Sequence, residues 1–202
     1  MRRSFIVMAV CAVILFINCS DNGVSSNSGG GGGGGGGSYT YTGRTVQIGN
    51  LTWMAENLNR NTNNSWCYDN NSSNCAKYGR LYTWDAARGA CPSGWRLPTG
   101  ADWNNLMTAV GGSSTAGTKL KSQTGWYNDG NGTDEFGFSA LPGGFRITGG
   151  SFNDVGNNGC WWSASEVDAA IAPHWYMYWD DGEFVYSPWG NKSNGLSVRC
   201  VR

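Results

Sequence analysis

The chain has 202 residues with fourteen basic and fourteen acidic side chains and a single histidine, so its formal net charge is zero. With no basic cluster anywhere along it, nucleic acid is excluded as the expected partner. No internal repeat is present, and the length after its leader suits one domain with one hydrophobic core.

Arg2 and Arg3 precede thirteen consecutive apolar residues, Phe5 to Ile17, and residues 1–18 therefore read as an export signal. A spanning helix needs about 20 apolar residues, and the Ser/Asn/Gly-rich sequence that follows adds none. Cys19 stands directly after the apolar core, where a bacterial lipoprotein signal places its lipidated cysteine, although Asn18 occupies the position usually held by a small residue. Cys11 would leave with the signal. Residues 19–38 are then the lipidated cysteine and a tether with nine glycines in a row, Gly29 to Gly37. Such a tether does not fold, and its typical reach is roughly 24 Å. The expected order is anchor, leash and payload: an extracytoplasmic monomer, membrane-anchored on the outer membrane or cell surface.

The payload spans residues 39–202 and carries all eleven tryptophans. Five cysteines fall in it, and an exported chain defaults to paired disulfides. Cys67 and Cys75 lie in the polar loop WCYDNNSSNCAKYG, where a local bridge would pin a turn of little apolar content. Cys91 and Cys200 would close a loop of more than a hundred residues, worth up to about 4.7 kcal/mol in the chain-entropy model. That leaves Cys160 as a free thiol. A small-residue core position suits it better than reactivity, since no histidine or lysine near it in sequence would lower its pKa.

RTVQIGNLTWMAENL alternates on either side of Gly49-Asn50 and predicts a β-hairpin. LYTWDAARGAC predicts a short helix with Thr83 as N-cap and Trp84, Ala87 and Cys91 on one face. In CPSGWRLPTGADWNNL, Pro98 blocks a helix upstream, Thr99 caps the next one, and Asp102 three residues on completes a capping box. Trp103, Leu106, Met107 and Val110 then follow at helical spacing up to Gly111-Gly112. Beyond them the chain becomes Gly- and aromatic-rich. Short strands are expected in FGFSALPGGFRITGGSF, CWWSAS, HWYMYWDDGEFVYS and GLSVRCV, with Asp181-Gly182 a hairpin turn. Two early helices with sheet at both ends predict an α+β class.

The ordered series TWMAENL, CYDN, CAKYGRLYTWDAA, CPSGWRLPT, DEFGFSALPGGFR, WWSAS and SVRCV resembles the Fibrobacter succinogenes major paralogous domain, a family of exported bacterial modules often found on lipoproteins. The resemblance covers nearly all of Leu51 to Val201 and names a domain without naming a job. A wider similarity is to the C-type lectin-like fold, which implies two short helices packed on small antiparallel sheets beside a long loop-rich, Gly/Trp-rich half. That similarity implies a bridge from Cys91 to Cys200 as well. The segment carrying Gly94, Arg96, Leu97, Pro98, Thr99 and Trp103 is also similar to one in the formylglycine-generating, or sulfatase-modifying, enzymes.

The enzyme reading that this last similarity invites is a copper-binding thiol pair, Cys160 with Cys200, but the flanking segments do not match that family's active-site run, and pairing Cys200 with Cys91 would remove it. His174 alternates within HWYMYW as a strand residue, so a structural role outweighs a general base. The carboxylate groups Asp134 with Glu135, and Asp180 with Asp181 and Glu183, sit at turn signals where Asp is expected for backbone reasons. Trp179-Asp180-Asp181 echoes one element of a calcium-dependent sugar site whose other element is missing. Asp129, Asn131 and Asp134 in NDGNGTDE form a weak candidate calcium loop, for which a plain turn is the stronger reading. Otherwise no cofactor and no catalytic residue is expected. The aromatic surplus is the remaining hint. Trp53, Trp84 and Trp103 are spaced for a core, whereas Trp126, Trp175, Trp179 and Trp189, with Asp180 and Asp181, lie in or beside Gly-rich turns as a candidate ligand platform. The expected function is a non-catalytic binding module whose partner, besides the membrane, is a polysaccharide or a surface protein; the alternatives are an enzyme of the sulfatase-modifying type and a purely structural surface protein.

Overall fold

The computed structural model describes residues 39–202. The export signal, Cys19 and the tether lie outside the described residues. The domain opens with β1 (Thr45–Ile48) and β2 (Leu51–Met54), an antiparallel hairpin through Gly49-Asn50 in which Gly49 takes a φ of 62°. Then come β3 (Ser65–Trp66), α1 (Ser72–Tyr78), β4 (Leu81–Tyr82), α2 (Trp84–Ala90), α3 (Gly100–Ala109) and α4 (Ser113–Leu120). The later half holds β5 (Phe145–Arg146), β6 (Phe152–Asn153), β7 (Asn158–Trp162), β8 (Ile171–Tyr178), β9 (Val185–Asn191) and β10 (Leu196–Ser197).

Six strands make the main sheet in the order β3-β4-β10-β7-β8-β9. β10 enters it antiparallel to β4 and parallel to β7. Beyond β10 the chain runs back along the first hairpin, where the amides of Leu58, Met54 and Thr52 donate to the carbonyls of Val198, Cys200 and Arg202. Arg96 and Val201 exchange backbone hydrogen bonds on the other side. The C-terminal segment is therefore clasped between β2 and the start of α3, and the Cys91–Cys200 disulfide locks it there.

Local chemistry explains the helix starts. The Thr83 hydroxyl accepts from the Ala86 amide and starts α2. At α3 the Thr99 hydroxyl accepts from the Asp102 amide while the Asp102 carboxylate accepts from the Thr99 amide, the reciprocal box that satisfies two orphan donors. Arg96 grips the same carboxylate with both terminal nitrogens. Burial alone would push Asp102 up, but hydrogen bonds from Arg96 and Thr99 outweigh it and hold the carboxyl at about 2. One ion pair thus ties the loop before α3 to its first turn.

Two apolar clusters form the core. Trp53, Trp103, Phe138, Trp161, Trp175 and Phe184 anchor the first; Tyr82, Trp84, Ala87, Leu97, Trp162 and Val198 belong to the second. The expected frame of two short helices on small antiparallel sheets, the C-type lectin-like arrangement, is overturned: there are four α-helices among the described residues and a six-stranded sheet of mixed direction. The polar stretch that begins at Cys67 runs into α1, which is capped by the Asn71 side chain and stapled at Cys75 by the Cys67–Cys75 disulfide. Downstream of Gly111-Gly112 the chain turns straight into α4, whose sequence SSTAGTKL carries a glycine in mid-helix. A Cβ on Gly117 would lie 2.4 Å from the carbonyl oxygen of Glu183, so the residue that weakens the helix signal is the one that lets α4 sit against the β8–β9 turn.

Two cations are buried without a carboxylate partner. The Arg199 guanidinium spreads over Asn57 Oδ1 and the carbonyls of Met54, Phe138 and Ser139. Burial lowers its pKa to about 9, so it still carries its charge at neutral pH. Lys121 donates to the carbonyls of Tyr178, Trp179 and Asp181 and lies over the Trp126 ring. Burial lowers its pKa too. It pins the turn between β8 and β9.

Candidate functional site

After an irregularity at Ala172–His174, β8 alternates from His174 onward. Trp175 and Met177 point into the first core cluster, and Trp175 stacks on Trp103 of α3 with centroids 6.0 Å apart. The even residues face the other way and form an aromatic row: His174 and Tyr176 are 6.0 Å apart, Tyr176 and Tyr178 5.2 Å. This is the two-residue period of a strand with one face in the first cluster and the other running from the second cluster out to solvent at Tyr178.

Neighbouring strands complete a groove over that row. Cys160 on β7 pairs with Tyr176, Trp162 pairs with His174, and Ser187 on β9 pairs with His174 from the other side. Cys160, His174, Tyr176, Tyr178 and Ser187, together with Phe145, Trp189 and Asn194, line a groove of about 280 Å³. At its rim Trp189 is 76% exposed and Tyr178 41%.

Inside the groove the titratable groups are quiet. Burial lowers His174 to about 4, so its imidazole is neutral at physiological pH, and its Nδ1 is buried without a hydrogen-bond partner. Burial raises the Cys160 thiol, which donates to Asn158 Oδ1. A protonated, buried thiol is a poor nucleophile, and the Cys200 sulfur is already bonded to Cys91. Ser187, Asn194 and the tyrosine hydroxyls provide neutral donors and acceptors beside apolar ring faces, a chemistry suited to the alternating C–H and O–H surfaces of a sugar.

The four tryptophans singled out from the sequence do not form one platform. Trp126 is 5% exposed, with its Nε1 donating to the Ala140 carbonyl, and Trp175 is in the core. Trp179 is half-buried and meets Tyr127 edge-on. Only Trp189 stands open. Asp180 and Asp181 are exposed, and Asp181 caps the hairpin turn by accepting from the Glu183 amide. In the candidate calcium loop, Asn131 accepts from the Trp126 amide and Asp134 binds both the amide and hydroxyl of Ser139. Those two side chains act as turn locks. A search for tryptophans beside glycine turns passes over Tyr176 and Tyr178, yet the alternation in HWYMYW already puts them on one face with His174.

Neither a curated protein nor a solved structure matches the chain. A family model described as the Fibrobacter succinogenes major domain matches residues 46–202, which is most of the chain and all the elements of the groove, and the chain belongs to that family.

Proposed function

We propose that the chain is an extracytoplasmic, lipid-anchored, non-catalytic module that binds carbohydrate along the open face of β8 and β9. The observation that carries this reading is the pair Tyr178 and Trp189, exposed at the rim of a groove that half-buried Tyr176 continues inward beside a neutral His174. Sugar rings stack on such faces and gain orientation from a few hydrogen bonds at the edges. The anchor rests on the leader sequence, with Cys19 as the lipidated residue.

A glycan array combined with pull-down on insoluble polysaccharides is expected to identify a ligand. Trp189→Ala and Tyr178→Ala should each weaken binding by at least tenfold, since an aromatic anchor at the centre of a contact costs about 2 kcal/mol or more to truncate. Silence on every glycan, with capture of a protein instead, would overturn the carbohydrate reading. Cys19→Ala should move the protein from the membrane fraction to a soluble one. Retention in the membrane would mean that the apolar segment itself is the anchor.

A further inference from the structure

A second and larger opening lies next to the aromatic groove, across the Arg146–Gly195 bridge. It is a cleft of about 670 Å³ lined by polar groups that include Asn64, Thr83, Asp85, Asn191 and Lys192. Trp66 and Arg146 form part of the same wall. The Arg146 guanidinium lies 4.0 Å from the Trp66 ring centroid and 5.8 Å from that of Phe152. A planar cation held between two rings is oriented before any ligand arrives.

What sets Arg146 apart among the arginines of the described residues is a buried nitrogen without an acceptor. Its Nε is buried with no hydrogen-bond partner. The ion pairs among the described residues are Arg44 with Glu56, Arg96 with Asp102 and Lys192 with Glu166, and none involves Arg146. By contrast Arg199, the more deeply buried arginine, is fully occupied by oxygens. The Arg146 guanidinium is half-buried against Trp66, and its terminal N–H donors stay free for a ligand. The group that satisfies it best is a planar oxyanion, which accepts two parallel N–H donors.

The rest of the wall narrows the ligand. Lys192 adds a second positive charge, although it is shared with Glu166, and Asp85 is the lone carboxylate in the lining. Asn64, Thr83, Thr148, Asn191 and Ser193 present hydroxyls and amides, the partners of a polyol. We infer that this cleft binds an acidic saccharide, with the sugar carboxylate on Arg146 and the ring hydroxyls on the amide and hydroxyl wall. The inference deepens the carbohydrate reading by naming a charged sugar and a second subsite, and it rests on residues separate from Tyr178 and Trp189.

Calorimetric titration of the full chain with galacturonate and glucuronate oligosaccharides tests it, each compared with its methyl-esterified, uncharged counterpart. Binding of an acidic oligosaccharide is expected, falling at least tenfold on esterification. Arg146→Gln should cause a similar loss. Arg146→Lys, which keeps the charge without the fork, should lose at least fivefold while melting close to the parent. Trp189→Ala should leave this affinity within twofold, which separates failure at this cleft from failure at the aromatic groove. Equal affinity for acid and ester, no binding of either acid, or an unchanged Arg146→Lys affinity would each overturn the inference. Displacement of the acidic sugar by equimolar inorganic phosphate would overturn the carboxylate assignment and make the cleft a phosphate site.

Discussion

Replacing Arg199 with leucine is expected to destabilise the domain by about 4 kcal/mol, more than the loss of the short Cys67–Cys75 disulfide. The side chain is 0% exposed, and its nitrogens serve Asn57 Oδ1 and three backbone carbonyls. Leucine would take this donor from three carbonyls and leave Asn57 Oδ1 with Trp161 alone, at about 1–3 kcal/mol for each group left unsatisfied, offset in part by no longer burying a charge. Asn57 is the hub that makes the loss cooperative, because its Oδ1 also accepts from Trp161 Nε1 and its Nδ2 donates to the Tyr78 carbonyl. For a domain of this size, about 4 kcal/mol corresponds to a melting temperature roughly 8–16 °C lower. Arg199→Lys should fall between the two, since one ammonium cannot reach acceptors arranged around a fork. Calorimetric unfolding decides it, and a loss below about 1 kcal/mol would mean the network relaxes around its missing centre.

Removing the Cys91–Cys200 bridge through a double alanine substitution should cost as much or more, up to about 4.7 kcal/mol. The bridge spans 109 residues, from the end of α2 to the clasped C-terminal segment. Without it the unfolded chain regains the freedom of a very long loop. The Cys67–Cys75 bridge spans 8 residues, and the same chain-entropy reasoning gives it about 2.5 kcal/mol at most. The ordering is the sharper expectation: denaturant midpoints should fall further for the long bridge than for the short one. The reverse order would show that α1 depends on its staple more than the whole domain depends on its clasp.

Both bridges are legible in the sequence because cysteine spacing is a long-range signal that survives without knowledge of the fold. So are the Gly49-Asn50 turn and the Thr99/Asp102 box, whose chemistry is complete within a few residues. Helices α1 and α4 are not. SSNCAKY and SSTAGTKL have too few apolar residues for a helical stripe, and both owe their place to external contacts, a disulfide for one and the close approach of Gly117 to Glu183 for the other. The parallel contact of β10 with β7 leaves no local trace, since it depends on where the C-terminal segment is clasped.

The site is half legible for a related reason. Alternation in β8 separates Trp175 from His174, Tyr176 and Tyr178, but only the packing of α3 decides which of the two faces is covered. A tryptophan beside a glycine turn, such as Trp126, is therefore indistinguishable in sequence from an open one such as Trp189. The role of Arg96 is equally hidden, because it emerges only when the Asp102 carboxylate accepts from both its terminal nitrogens. Arg146 gives no sequence signal at all. Its significance is the absence of a partner, and that requires every neighbour to be in place.

Oxidative footprinting of the chain with and without its captured polysaccharide tests the aromatic face most directly. Trp189 and Tyr178 are expected to be protected by the ligand, while Tyr127 and Tyr186, which are exposed elsewhere, keep their reactivity. A bound polysaccharide that shields Tyr186 or Tyr127 and leaves Trp189 and Tyr178 reactive would contradict the assignment of the β8–β9 face.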